Sequence, residues 1–120
     1  MSKITRFEEL ECWKASRVLV KSIFRKSESF KRDQATCIQL RRAAISIMNN
    51  IAEGFGRFSN KDFVRFLQYS SSSANEVKSM LYLLEDIKYL SLDDLKQLHA
   101  QVDKVRNLTL GLIRYLSNKK

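Results

Sequence analysis

A chain of 120 residues with no proline and only three glycines, Gly54, Gly56 and Gly111, has few places to turn. Strands and tight turns use those residues as punctuation, so their scarcity favours long helices joined by a small number of links. The 44% apolar content is ordinary for a globular chain and argues against disorder. At this length one domain spanning residues 1–120 is expected, large enough to hold together without disulfides or metals.

Apolar spacing divides the chain into four helices. Leu10, Trp13, Leu19, Val20, Ile23 and Phe24 recur at three and four residues, predicting a helix over about 8–26. The run 27–31 reads as a link. Cys37, Leu40, Ala44, Ile47 and Ile51 form the stripe of a second helix over about 32–53, which Gly54-Phe55-Gly56 should end through a left-handed C-cap. Ser59-Asn60-Lys61-Asp62 reads as a capping box opening a third helix to about Lys88. Its stripe is Phe63, Phe66, Leu67, Ser70, Ser73, Ala74, Val77, Leu81 and Leu84. Ser91-Leu92-Asp93-Asp94 opens the fourth, with Leu95, Leu98, Val102, Val105, Leu112 and Leu116 inward and Gly111 as a point of close packing. Short links imply antiparallel neighbours, so the expected fold is an all-α, up-down-up-down four-helix bundle.

The charge is +9 and unevenly spread. Residues 14–65 carry twelve basic and four acidic side chains, leaving little excess elsewhere. On the first helix Lys14, Arg17, Lys21 and Arg25 share one side. A concentrated basic field suits a polyanion, most often nucleic acid. The opening residues lack the apolar core of a signal peptide, and no run approaches the roughly 18 apolar residues of a membrane span. Two cysteines, Cys12 and Cys37, make no secreted framework. A cytoplasmic protein without a membrane partner is expected.

Catalytic chemistry finds little purchase. His99 is the single histidine, and with Cys12 and Cys37 it is too isolated for a metal site. No phosphate-cradling glycine loop exists, since Gly54-Phe55-Gly56-Arg57 lacks a third glycine and a preceding strand. Ser70–Ser73 have no predicted base beside them and suit close helix approach instead. Glu85-Asp86 and Asp93-Asp94 fall at helix ends. No enzyme, cofactor or small-molecule substrate is indicated.

Gln39, Arg42, Ser46, Asn49 and Glu53 align on one polar face of the second helix. Arginine grips phosphate in two-point fashion, and Gln, Asn and Ser can hydrogen-bond backbone or base edges. Equally, such residues can bond to one another or to a neighbouring subunit. Ile38 and Ile45 flank this face, away from the core stripe, where apolar residues mark a subunit contact.

The run Gln39–Arg57 (QLRRAAISIMNNIAEGFGR) closely resembles the signature of the four-helix-bundle proteins encoded in intervening sequences of bacterial large-subunit rRNA genes. Phe7–Leu10, Trp13–Ala15, Phe63, Phe66-Leu67, Ser73, Glu76 and Asp86–Leu90 fit the same family. One departure is Ser70–Ser73, where the family's usual Ala-x-Gly-Ser has a glycine at the position of Ser72. The resemblance implies an antiparallel bundle assembled as a ring-like homopentamer. It also implies kinship with accessory proteins of diversity-generating retroelements, which bind nucleic acid and a reverse transcriptase.

The expectation is therefore a homo-oligomer that binds nucleic acid, structured RNA in preference to DNA, through Lys14, Arg17, Lys21, Arg25, Arg41, Arg42, Arg57, Lys61 and Arg65. The alternative is a scaffold for a protein partner such as a polymerase or reverse transcriptase, without direct nucleic-acid contact. No platform of exposed aromatics is evident, so base readout is not expected.

Overall fold

Hydroxyl and carboxylate caps open three of the four helices, Ser59 and Ser91 where the sequence signals them and Asp33 where it does not. The computed structural model describes residues 3–119. Helices α1 (Glu11–Ser27), α2 (Gln34–Phe55), α3 (Asn60–Asp86) and α4 (Leu92–Ser117) follow one another. Asp33 caps α2 by accepting from the Thr36 amide, Ser59 caps α3 by accepting from Asp62, and Ser91 caps α4 by accepting from Asp94. The Asp94 carboxylate does not reach back to close a box. It receives Lys26 of α1 at 2.9 Å instead, so the cap also ties α4 to α1.

Each helix packs on its sequence neighbours, and α1 also packs on α4, closing an antiparallel bundle 48 Å long and 23 by 20 Å across. Helices α1 and α3 lie on opposite corners. Leu19, Ile23, Leu40, Ile47, Ile51, Leu67, Leu81, Leu84 and Leu98 are fully buried in one core, each contributing about 1.5–3 kcal/mol of burial. Ser71 buries its hydroxyl without a partner among the described residues, while the hydroxyls of the fully buried Ser16, Ser70 and Thr109 each find a carbonyl. Ser16 donates to the Trp13 carbonyl, Thr109 to that of Val105, and Ser70 crosses from α3 to the Ile47 carbonyl of α2 at 2.8 Å. The half-buried Ser46 and Ser73 hydroxyls pair at 2.8 Å along the same seam. Small hydroxyl side chains thus let α2 and α3 approach while pinning their register.

Five local expectations need correction. The first helix does not run unbroken from Glu8: a 3-10 turn at Phe7–Glu9 precedes it, and Leu10 is extended before α1 begins. The break tucks Phe7 edge-on against Trp13, 5.2 Å between ring centres. Phe24 is not core but 36% exposed, lying under the Arg41 guanidinium. Gly54 does not end α2 in a left-handed turn, because no glycine has positive φ and α2 continues through Phe55. Its role is proximity: a Cβ there would stand 2.7 Å from Phe66 Cβ and 3.0 Å from the Phe63 ring. Helix α3 stops at Asp86, and among the described residues the left-handed one is Lys88 at φ 60°. Finally, Gly111 faces open space, with no heavy atom within 4 Å of a Cβ built on it.

Candidate nucleic-acid interface

The nine basic residues singled out by the sequence fall into three settings. Lys14, Arg17, Lys21 and Arg25 stand exposed along the outer face of α1, as helical spacing predicts. Lys14 pairs with Glu11 at 3.1 Å, an exposed pair of little energetic weight. Among the described residues Arg17, Lys21 and Arg25 make no ion pair. Arg17 lies over the Trp13 ring, 5.7 Å from its centre. A shallow groove of about 660 Å³ runs here, with Trp13 and Val18 as its apolar part and Lys14, Arg17 and Lys21 around them. Glu8 is the carboxylate on its edge, and it is held at 2.9 Å by Arg6, which keeps it below the usual carboxylate range.

Arg41 and Arg42 are adjacent in sequence and opposite in situation. Arg42 is exposed and makes no ion pair among the described residues. Arg41 is half-buried and engaged by its own chain. Its guanidinium donates to Ser27 Oγ at 2.8 Å and to the Phe24 carbonyl at 3.2 Å, reaches Glu28 at 3.4 Å, and covers the Phe24 ring at 4.6 Å. It satisfies the end of α1, where backbone carbonyls lack intrahelical partners. Sequence spacing alone could not separate these two arginines, because the distinction depends on where the link between α1 and α2 passes.

Arg57 lies in the turn between α2 and α3, and Lys61 and Arg65 follow it in the first turns of α3. Arg57 lies over the Phe66 ring at 4.4 Å and Arg65 approaches it at 5.7 Å, while Arg65 also pairs with Asp62 at 3.5 Å. This stretch carries aromatic surface that the sequence pattern does not reveal. Phe58 is fully exposed, at 109% of its reference area, and Tyr69 is 48% exposed. The available signal is an aromatic within a glycine-flanked, non-periodic turn, where no core demand explains it.

The polar face of α2 is divided by its neighbours. Gln39 donates to Glu76 of α3 at 2.6 Å, and Asn50 donates back to Ser46. Arg42, Asn49 and Glu53 face outward. Ile38 is 47% exposed beside them, and Ile45 is half-buried without belonging to the core. Both cysteines are buried, free thiols, and burial pushes the Cys12 thiol up to about 11, far from a reactive thiolate. His99 sits on the α3–α4 seam with Nδ1 3.1 Å from Lys78 Nζ and its ring tilted against Tyr82. Among the described residues no helix is long and apolar enough to cross a membrane.

Comparison with known proteins agrees with this architecture. A family model for 23S rRNA-intervening sequence proteins matches residues 8–111. The crystal structure of a protein of unknown function from the S23 ribosomal protein family of Bacteroides thetaiotaomicron VPI-5482 superposes with a TM-score of 0.79 at 22% identity, covering 85% of this chain and 97% of that one. No curated protein matches the chain.

Proposed function

The chain belongs to the 23S rRNA-intervening sequence protein family, and from that premise we propose that it is a cytoplasmic homo-oligomer that binds structured RNA through the outer face of α1. The observation that carries the reading is the run Arg17, Lys21 and Arg25, exposed without ion pairs among the described residues, the first two beside a groove floored by Trp13 and Val18. Cations left without partners on a rigid helix can meet successive backbone phosphates, and the groove lets their apolar stems and the exposed Val18 pack against sugar edges. Arg42, exposed on α2, extends the field toward the adjacent corner. Self-association through the Ile38 and Ile45 face would repeat the patch once per subunit. The family resemblance argues for five copies in a ring. No residue set among those described supports a catalytic mechanism, and the function proposed is binding alone.

The test is a filter-binding salt titration on structured RNA and on duplex DNA. Wild type is compared with a Lys14/Arg17/Lys21/Arg25→Ala variant after light scattering shows equal mass. Binding should fall steeply with salt, and the variant should flatten the log–log slope by about 0.9 for each phosphate it no longer neutralises. Absence of binding at low salt, or an unchanged slope, removes this reading and leaves a protein partner as the object of search.

A further inference from the structure

At the end of the bundle where the N-terminal segment, the α2–α3 turn and the end of α4 converge, a groove of about 480 Å³ opens between helix ends. Phe55, Phe63 and Tyr115 supply aromatic walls, and Lys3, Arg57 and Lys119 supply cations. Among the described residues no carboxylate lines it. Ser59 and Asn60 bring polar side chains to the same opening. Two cations already lie against aromatic rings here, Arg57 over Phe66 at 4.4 Å and Lys119 over Tyr115 at 5.1 Å. Next to Arg57, Phe58 projects fully into solvent.

From this juxtaposition we infer that the bundle end is a second binding site, one that takes an unpaired nucleotide segment of a single strand. It rests on the nucleic-acid reading above but uses none of the α1 stripe: Lys14, Arg17, Lys21 and Arg25 are absent from its lining. Charge selects an anion. Aromatic walls and a free phenyl ring select a flat partner, because stacking on a base needs only its π-face. The volume falls within the range of roughly 300–1,000 Å³ typical of small-ligand sites, enough for single bases, and an unpaired base offers the free face that a paired stack hides. Arg57 and Lys119, both lining the groove, can pair with phosphates flanking an inserted base, and Ser59 and Asn60 can hydrogen-bond its edge. A second copy of the chain seated groove to groove is a poor occupant, since it would bring three more cations against these three.

The experiment measures the affinity of single-stranded octauridylate and of a fully paired RNA duplex by fluorescence anisotropy at one salt concentration. Proteins compared are wild type, Phe58→Ala, Arg57→Ala/Phe58→Ala, and the α1 quadruple variant. Phe58 contacts nothing that folding needs, so its single substitution guards against a misfolded double variant. A drop of about fivefold or more for octauridylate in both turn variants, with duplex affinity unchanged, is expected. The α1 variant should show the reverse preference. A 4-thiouridine octamer should photocross-link to peptides spanning 55–63 or 112–119. Turn variants that leave octauridylate affinity intact, or cross-links confined to α1, overturn the second site while the α1 reading stands. Wild type that binds neither RNA removes both, and binding only to vesicles of anionic lipid assigns the groove to another occupant and overturns the inference.

Discussion

The Tyr89 hydroxyl donates to Asp33 Oδ2 at 2.8 Å, joining the residue that caps α2 to the turn that follows α3. Asp33 also accepts from the Thr36 amide and hydroxyl, and Tyr89 stacks on Phe30 with ring centres 4.9 Å apart. One carboxylate therefore closes the end of the bundle opposite the groove. Lys88, at φ 60°, supplies the reversal that brings Tyr89 into place.

Those bonds hold the Asp33 carboxyl below its ordinary value, the Thr36 amide contributing most, and the Tyr89 phenol is raised chiefly by its bond to Asp33. A depressed carboxylate stabilises the fold above its unfolded value of about 3.9 and loses that contribution as pH falls through the folded value. A raised phenol stabilises below about 10 and loses its share as pH climbs past it. Tyr89→Phe keeps the stack and removes the bond. Its urea midpoint should lie below that of wild type at pH 7, and the difference should shrink below pH 3. A constant difference across that range would show that Asp33 is not the partner that matters.

Gly54 and Gly111 should respond to alanine with opposite signs. At Gly54 the new methyl meets Phe66 and Phe63 across the α2–α3 seam, so Gly54→Ala should destabilise by about 1–3 kcal/mol. At Gly111 nothing stands in the way within the subunit, and Gly111→Ala should stabilise by about 0.5–1 kcal/mol through helix propensity. Thermal melts at matched concentration check both. A Gly111→Ala protein that loses stability and mass together would reveal that another subunit covers this face of α4.

The contrast between these glycines marks what the sequence can tell. Periodicity identifies all four helices because each buries a single stripe, and the caps Ser59 and Ser91 are legible as local chemistry. Gly54 misleads because its reason lies in α3, twelve residues away in Phe66, and no local rule reports a close approach between helices. The exposed stripe of α1 is legible for the same reason as the core, being the far side of one helix. Arg41 is not separable from Arg42, since its partners Ser27 and Phe24 arrive only when the chain turns back. Phe58 escapes because aromatic residues are assigned to the core by default, and only the folded turn shows this one facing water.

His99 should make the α3–α4 seam sensitive to mild acid. Burial lowers its pKa first and the Lys78 ammonium second, while Asp103 and Glu85 act in the opposite sense. Tyr82 packs on the ring, and Lys78 and Arg106 both pair with Asp103. With the folded pKa below the unfolded value of about 6.5, the unfolded chain binds the extra proton first, and stability declines as pH drops beneath that value. Denaturant midpoints at pH 7.5 and 5.5 should therefore differ for wild type and converge for His99→Gln. Equal shifts in both proteins would assign the acid sensitivity elsewhere.

Arg41 and Arg42 separate folding from binding on one turn of α2. Arg41→Ala leaves the Phe24 carbonyl and the Ser27 hydroxyl without their guanidinium and uncovers the Phe24 ring, at a cost of about 1–2 kcal/mol. Arg42→Ala removes an exposed side chain that makes no ion pair among the described residues, so its melting temperature should match wild type within error. In RNA filter binding the order reverses: Arg42→Ala should weaken affinity and shallow the salt slope, whereas Arg41→Ala, assayed well below its melting point, should retain both. If Arg41→Ala proves the weaker binder at full helicity, its guanidinium must leave Ser27 and Phe24 to meet the nucleic acid, and its bonds to them belong only to the unliganded state.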